Sequence, residues 1–310
     1  EYFLGGELAL DTSAVEAAVD AKLGEASGLK TTEAAAGIHA VVNNNMAAAT
    51  RRYIAEKGRD PRKYTLIATG GAGPVHAYGL AKELKISRLI IPFGAGVSSA
   101  LGFLLAAPAV NDVRSQIVPL DAATPAVAAP LYDAMRANAL SQLAAAGADP
   151  ADIAFRFSVD IRYRGQGFDI EVDLPDDFLA ADFREALRRR FEDKYKLLFG
   201  RHIADVPVEI VSWRLGASCP RPDIKLRFEG EQIDRSTALK GRRRVHFGQK
   251  GFVEAQVYSR YGLAAGTVIR GPAVIEERES TAVLGPDTTT RVDQHLNLIV
   301  DIDEPRGEPV

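Results

Sequence analysis

The sequence is first informative for what it lacks. It holds one cysteine, Cys219, so an internal disulfide framework and a cysteine-based metal site are both excluded. The formal net charge is −3, and this slightly acidic balance does not favour a nucleic acid partner. No apolar run approaches the ~20 residues that a membrane-spanning helix requires, so no membrane partner is expected. The chain begins with Glu1 instead of methionine, and we expect it to be a piece of a longer protein.

Familiar motifs of catalysis and phosphate binding are missing as well. The sequence has no Gly-Lys pair for a P-loop, no His-Glu-x-x-His zinc motif and no Gly-x-Ser-x-Gly nucleophile turn. Its histidines are scattered along the chain. We therefore assign no metal ligand, and the scarcity of cysteine is typical of a reducing, cytoplasmic location.

The length and the change of pattern along the chain predict more than one domain. With 310 residues, of which 46% are hydrophobic, the chain is long enough for two ordinary cores. We predict an α/β region at 1–118, a helical connector at 119–150 and a β-rich carboxyl-terminal domain at 151–310. The fold class is thus α/β followed by α+β.

Helices precede the first predicted strand. Ser13 and Glu16 have the spacing of a capping box, which predicts a helix from about Ala14 to Gly24. A longer helix is predicted over about 32–57. Its apolar positions recur at helical spacing and predict a buried face made of Ile38, Val42, Met46, Ala49 and Tyr53.

A strand, a glycine-rich loop and a helix then follow one another twice. The first series is TLIA (65–68), GGAGP (70–74) and a helix that begins at Pro74. The second is RLIIP (88–92), FGAG (93–96) and a helix over 97–106. The two strands should be parallel, because a crossover helix joins them.

The second half of the chain has strand periodicity. Apolar and polar residues alternate over 155–164 and again over 168–174, which predicts a hairpin that turns at Gly165–Gly167. A helix is predicted over 181–199, with Phe183, Leu187, Phe191 and Tyr195 along one face. After Lys240 we predict several short, mostly antiparallel strands.

The GGAGP loop is the sharpest local candidate for a binding site. Gly70, Gly71, Ala72, Gly73 and Pro74 would bring backbone N–H groups at a helix N-terminus to a nucleotide or phosphate. The alternative is a tight turn without a ligand. The glycines do not match Gly-x-Gly-x-x-Gly, and no acidic residue ends the next strand, so a dinucleotide site fits poorly.

Other polar residues near the same sheet edge have two interpretations each. His76, at the start of the helix after GGAGP, would either contact substrate or phosphate or be solvated. Ser98 and Ser99 would contact substrate, or serve to start a helix. Asn43 to Asn45 lie within the long helix, where Asn44 is a candidate for a substrate or lobe contact and the alternative is a solvent-facing stripe with one bonded residue.

The residues of the hairpin tip and the short basic run have simpler explanations. Arg162, Arg164 and Gln166 would clamp an anion or form a solvated strand face. The basic run at 242–244 is surface charge, and Trp213 is expected in the core.

Several longer segments together resemble the carboxyl-terminal half of the hydantoinase A / 5-oxoprolinase family, which includes the acetone carboxylase subunits. The segments that carry the resemblance are YFLGGELALD (2–11), NNNMAAATRRY (43–53), GRDPRKYTLIATGGAGPVHA (58–77), IPFGAGVSSALGFLLA (91–106), DIRYRGQGFDIEV (160–172) and GPAVIEERESTAVLGP (271–286). They span nearly the whole chain in the family's order. Their joint occurrence is more specific than any one loop.

This resemblance implies a fold and a set of partners. The first region would be part of the second lobe of an actin/hexokinase-like ATPase, with 69–74 as the adenosine-side loop and 97–104 as a lobe-packing helix. The implied cofactor is ATP with Mg²⁺. The implied partners are a cyclic amide or ketone substrate, a hydantoinase B-type subunit and further copies of the chain. The family's Asp-Gly-Gly-Thr and Asp-Gly-Gly phosphate motifs are absent here.

Four functions remain open from the sequence. The first is the carboxyl-terminal portion of an ATP-dependent enzyme that hydrolyses a hydantoin or 5-oxoproline type amide, with His76 as a catalytic residue, inactive without its amino-terminal part. The second is a ketone carboxylase subunit, and the third is a non-catalytic module that docks a partner subunit. The fourth is a fragment of a dinucleotide-binding oxidoreductase.

Overall fold

A computed structural model describes residues 4–175, 177–179, 182–223 and 238–303. The helices are α1 (Thr12–Val19), α2 (Glu25–Ser27), α3 (Thr31–Glu56), α4 (Gly73–Leu84), α5 (Ser98–Leu105), α6 (Pro125–Ala145) and α7 (Phe183–Phe199). The strands are β1 (Leu66–Ile67), β2 (Arg88–Ile91), β3 (Ala109–Pro119), β4 (Ala154–Tyr163), β5 (Ile170–Leu174), β6 (Val208–Ser218), β7 (Leu239–His246), β8 (Phe252–Ser259), β9 (Val268–Arg270), β10 (Ala273–Glu276), β11 (Thr281–Leu284), β12 (Thr288–Val292) and β13 (Leu298–Ile302). Among the described helices, none has the length and apolar character needed to cross a membrane.

The chain divides into two compact units, and their borders differ from the predicted ones at 118 and 150. Unit 1 combines the beginning and the end of the chain; its described residues are 4–103 and 238–303. Unit 2 is continuous and starts at Leu104. The predicted 151–310 domain is therefore divided between the units. Periodicity identifies a strand but not its partner, so the sequence did not reveal that the last strands complete a sheet begun by the first.

The first sheet of unit 1 shows this joining of chain ends. Its strand order is β1-β2-β13-β12-β9. The pairing of β1 with β2 is parallel, as predicted, whereas β13 pairs antiparallel with β2 through Leu298 opposite Ile91. Leu89, Ile91 and Val300 are buried in its core. The carboxyl-terminal strand β13 thus shields one side of β2.

A second sheet of unit 1 has the order β11-β10-β8-β7. β10 pairs antiparallel with β11 and parallel with β8, and β7 pairs antiparallel with β8. The mostly antiparallel arrangement predicted after Lys240 is confirmed, with β8 and β10 as the exception. The chain on the two sides of Gly271 forms β9 and β10, which lie in different sheets.

Unit 2 is an antiparallel sheet of order β3-β6-β4-β5 with two helices packed on it. The predicted hairpin is confirmed by the β4–β5 pairing, and the predicted face of α7 is buried. β3 was not predicted. The connector prediction is wrong for α6, because Tyr132, Met135 and Leu143 are buried in the core of this unit. A helix rich in Ala and Leu has the composition of a connecting helix. Its alanines nevertheless allow it to pack closely on a sheet.

The start of α1 also differs from its prediction. The helix is capped by Asp11, whose Oδ1 accepts a hydrogen bond from the Ala14 N–H at 2.9 Å. Ser13 instead donates its hydroxyl to the same Oδ1 at 2.8 Å. Both residue types cap helices well, and the aspartate lies two residues earlier in the sequence.

The predicted apolar face of α3 is wrong. Ile38 and Val42 are exposed, and the buried positions are Ala34, Asn43 and Ala47. α3 packs against α4 through these smaller side chains, which allow the two helix backbones to approach. The buried asparagine is thus part of a helix contact, and the larger apolar residues face away from α4.

Candidate functional site

The two glycine loops lie together at one edge of the first sheet. Each follows a strand of the parallel β1–β2 pair, so both emerge at the carboxyl ends of their strands. The Gly70 N–H donates a hydrogen bond to the Ala95 carbonyl at 2.7 Å and so ties one loop to the other. Gly70 has a φ of +86° and Gly94 a φ of +68°, conformations that glycine adopts without strain. The sequence predicted this juxtaposition correctly.

The first loop ends at an uncapped helix N-terminus. α4 begins at Gly73, one residue before the predicted Pro74, and its N-cap residue Ala72 makes no side-chain cap hydrogen bond. Thr69, Gly71 and Ala72 are exposed. The first N–H groups of a helix have no partner within the helix, so this exposed loop offers donors and a partial positive charge to an anion.

The turn between β10 and β11 packs directly on both loops. A Cβ on Gly71 would lie 3.3 Å from the Glu279 carbonyl oxygen, and a Cβ on Gly96 would lie 2.5 Å from the same atom. The glycine at 96 is therefore required by the approach of the Glu279 backbone. Sequence reasoning missed this turn, since no local pattern connects residue 279 with residue 96.

A buried ion pair supports this turn. Glu277 is 5% exposed and Arg260 is 2% exposed, and the Arg260 Nε donates to Glu277 Oε1 at 3.2 Å. The same Oε1 accepts the Gly94 N–H at 3.2 Å, and Oε2 accepts the Ser280 hydroxyl at 2.8 Å. Burial lowers the pKa of Arg260 to about 10, so the guanidinium stays charged at neutral pH. Glu277 thus joins the second glycine loop to the turn that packs on it.

His76 is held against α3. Its Nδ1 lies 2.9 Å from the Oδ1 of Asn43, and the Nδ2 of Asn43 lies 3.2 Å from the Nδ1 of His39. The rings of His39 and His76 are stacked with centroids 4.7 Å apart. Burial, and then the neighbouring His76, lower the pKa of His39 below its usual value. Of the two interpretations for His76, a purely solvated side chain does not fit these contacts.

The other candidates at this edge lie apart from these contacts. Asn44, predicted as a substrate or lobe contact, is exposed on α3, and its neighbour Asn43 is the bonded residue. The Ser98 hydroxyl donates to the Ala95 carbonyl at 2.8 Å and serves the start of α5, while Ser99 is exposed. Asn43 is thus bonded while Asn44 and Asn45 are exposed, and a substrate or lobe contact of Asn44 stays a prediction.

The remaining polar candidates have partners of their own. In unit 2 the Arg162 Nε donates to Glu209 at 2.9 Å, and the Gln166 amide donates to the Tyr195 hydroxyl at 2.9 Å. In unit 1 Arg242 pairs with an exposed glutamate. Trp213 is fully buried, as predicted. Within the described ranges no group of three or more His, Cys, Asp or Glu side chains is placed to hold a metal ion.

Comparison with known families gives two matches that together span most of the chain. A family model described as hydantoinase/oxoprolinase matches residues 1–111. A second model, described as the hydantoinase/oxoprolinase C-terminal domain, matches residues 121–300. The border between the two matches lies near the predicted border at 118.

Two relatives illustrate the match at the level of whole sequences. The caprolactamase subunit alpha of Pseudomonas jessenii is 29% identical over 94% of this chain and 42% of its own length. The acetone carboxylase beta subunit of Xanthobacter autotrophicus is 28% identical over 95% of this chain and 43% of its own length. The chain thus spans less than half the length of these curated relatives.

Solved structures of the same two kinds of enzyme are also similar. A crystal structure of the ATP-dependent caprolactamase from Pseudomonas jessenii superimposes with a TM-score of 0.69 at 27% identity, over 97% of this chain and 44% of its own. A nucleotide-free acetone carboxylase structure gives a TM-score of 0.70 at 25% identity, with the same coverage.

Proposed function

Because this chain belongs to the hydantoinase/oxoprolinase family, we propose that it is the carboxyl-terminal portion of an ATP-dependent enzyme that hydrolyses a cyclic amide. The observation that carries the proposal is the pair of glycine loops at one sheet edge, which ends in an uncapped helix N-terminus. The similar caprolactamase is described as ATP-dependent. A substrate of the hydantoin or 5-oxoproline class agrees with the family's name.

The residues proposed to contact ATP are Gly70, Gly71, Ala72, Gly73 and Pro74. They fit a polyanionic ligand, because the loop is exposed and α4 has no side-chain cap. The turn at Glu279 supports the loop from one side through Gly71, whereas a Cβ on Gly70 would meet no atom within 4 Å. ATP would supply a phosphoryl group that makes the amide a better electrophile. The chain's own part is to orient the nucleotide through backbone N–H groups.

Magnesium does not fit the described residues, because no cluster of carboxylates or histidines is placed to hold it. Mg²⁺ with ATP remains part of the proposal for the longer protein. Its ligands would come from the portion of the relatives' length that this chain does not match. We derive no step of the reaction from the metal.

His76 is proposed as the group that exchanges a proton with substrate or phosphate. Its position in the first turn of α4 places it close in sequence to the proposed nucleotide loop. Its Nδ1 is occupied by Asn43, so the opposite ring nitrogen, Nε2, is the one available for acid–base work.

The fold proposal is that unit 1 contains part of the second lobe of an actin-like ATPase. In support of it, α5 is apolar yet exposed: Phe103 is 85% exposed and Leu104 is 60% exposed. An apolar helix without cover is typical of a packing surface. We propose that it packs against the first lobe of the longer protein.

Ala72 offers a direct test of the nucleotide loop. We expect Ala72→Asp to weaken ATP binding at least tenfold in calorimetric titration of the intact protein, because a carboxylate would stand beside the phosphates. Ala72 is exposed and has helical φ/ψ of −96° and −15° instead of the extended backbone of a capping residue, so neither an aspartate nor an asparagine there is expected to cap α4. The free energy of unfolding of each variant separates lost binding from lost folding, and Ala72→Asn is the matched neutral variant that should retain affinity. Equal affinity in the wild type and both variants would refute the loop assignment.

A ketone carboxylase subunit is the second candidate, supported by the similar acetone carboxylase sequence and structure. The two reactions separate in one assay of the intact protein. A hydrolase should consume ATP with a lactam or hydantoin alone, whereas a carboxylase should require both a ketone and bicarbonate. No ATP consumption with any of these substrates would favour neither reaction and would support a non-catalytic docking module.

A partner subunit is proposed on the same basis. The two curated relatives are named as an alpha and a beta subunit. We propose a hydantoinase B-type partner, together with self-association and a cytoplasmic location. Size-exclusion chromatography of the co-expressed subunits should give a joint peak, and separate elution would contradict the partner.

A further inference from the structure

Three polar side chains at the contact between α3 and α4 form a continuous network. His39 and Asn43 are one helical turn apart on α3, and His76 reaches them from the first turn of α4. The amide of Asn43 lies between the Nδ1 atoms of the two imidazoles, at 3.2 Å from His39 and 2.9 Å from His76. Asn43 is 5% exposed, His76 is half-buried and His39 is exposed, so the amide is the buried centre of the network.

The chemistry of the amide decides where the imidazole hydrogens lie. Its Oδ1 only accepts hydrogen bonds and its Nδ2 only donates them. The Nδ1 of His76, which faces Oδ1, must therefore carry a hydrogen. The Nδ1 of His39, which faces Nδ2, must instead present a lone pair. The two histidines are thus held in opposite tautomers by one side chain.

The position of the Asn43 amide is fixed by Gly79 on α4. A Cβ at Gly79 would overlap the Asn43 Nδ2 and lie 3.2 Å from its Cγ. The amide therefore lies directly on the backbone of α4. Its plane is held by this backbone on one side and by the two imidazoles at its ends.

We propose that Asn43, supported by His39, is a positioning residue that keeps the hydrogen of His76 on Nδ1 and the lone pair on Nε2. The consequence for chemistry rests on the proposed function: a neutral His76 in this tautomer presents Nε2 as a base. Without Asn43, the hydrogen would distribute over both ring nitrogens. Part of the His76 population would then present an N–H where a base is needed.

The test is the ¹⁵N resonances of the imidazole nitrogens at neutral pH, assigned with His39→Gln and His76→Gln. In the wild type we expect His76 to show a protonated Nδ1 and an unprotonated Nε2, and His39 to show the reverse. Asn43→Asp keeps the shape of the side chain but accepts at both oxygens, so both histidines should then carry Nδ1–H. Asn44→Asp, on the exposed neighbour, is the matched control and should change neither ring.

Each result bears on the proposal independently of catalysis. A wild-type His76 with its hydrogen on Nε2, or a His39 tautomer unchanged in Asn43→Asp, would overturn it. If Asn43→Asp fails to fold, the wild-type resonances and those of His39→Phe, in which His76 should lose its single tautomer, decide the question. If the tautomers are as stated but His76→Gln leaves ATP-dependent turnover unchanged, the role of His76 in the proposed function fails and the positioning role of Asn43 stands.

Discussion

At the scale of single residues, the edge of the first sheet depends on the buried ion pair of Arg260 with Glu277, which no sequence motif predicts. Glu277 accepts hydrogen bonds from Arg260, from the Gly94 backbone and from the Ser280 hydroxyl. One carboxylate thereby satisfies groups from three separate stretches of chain. Removing the charge of Glu277 leaves the Arg260 guanidinium buried without the carboxylate that it pairs with.

We predict that Glu277→Gln destabilises the protein by about 3–5 kcal/mol, because a buried arginine loses its counter-charge. The measurement is the free energy of unfolding in urea. Glu254→Gln, which removes the exposed partner of Arg242, is the control and should cost about 0–1 kcal/mol. Similar losses for the two variants would show that the pair around Glu277 is not insulated from water.

Local sequence signals located the site's glycines and its histidine but not the groups that hold them. The strand–loop–helix pattern is contiguous, so the loops after β1 and β2 could be predicted from their residues. The sequence did not distinguish Asn43, which is the bonded residue, from Asn44, because all three asparagines look alike and only the rotation of α3 against α4 separates them. Glu277 and Glu279 were missed because the glycine loop that they contact is far away in sequence, with Gly94 183 residues from Glu277.

At the scale of elements, the contact between α3 and α4 explains why amphipathicity misidentified the buried face. Amphipathic periodicity identifies the apolar side of a helix, and that side of α3 is exposed. The face in contact carries Ala47 and Asn43, opposite Gly79 on α4. Close approach of two helices requires small side chains, whatever their hydrophobicity.

Gly79→Ala tests this close approach. An alanine ordinarily stabilises a helix by about 0.5–1 kcal/mol relative to glycine. Here the added Cβ would displace the Asn43 amide, so we predict a net loss of about 1 kcal/mol in the free energy of unfolding. Gly37→Ala on α3, where a Cβ would meet no atom, should show the ordinary gain. In an Asn43→Ala background the Gly79→Ala loss should disappear, and its persistence there would contradict the explanation.

At the scale of the whole molecule, the two units differ in how the chain builds them. Unit 2 is continuous, and its strands and both of its packed helices come from neighbouring stretches of sequence. Unit 1 needs both ends of the chain, because β13 lies between β2 and β12 in its first sheet. Short strands with glycine and proline were predictable individually, but their distribution over two sheets depended on long-range pairing.

This difference predicts the behaviour of fragments. Residues 104–223 alone should unfold cooperatively in urea, with the emission of Trp213, the single tryptophan of the sequence, shifted to shorter wavelength in the folded state. Residues 1–118 alone should not fold, because β2 would lose its neighbour β13 and expose Leu89 and Ile91. A chain in which 104–225 is replaced by a Gly-Ser linker should regain folding, since it restores β13 to β2. A stably folded 1–118 fragment would show that the sequence-based border at 118 describes the folding unit better than the sheet does.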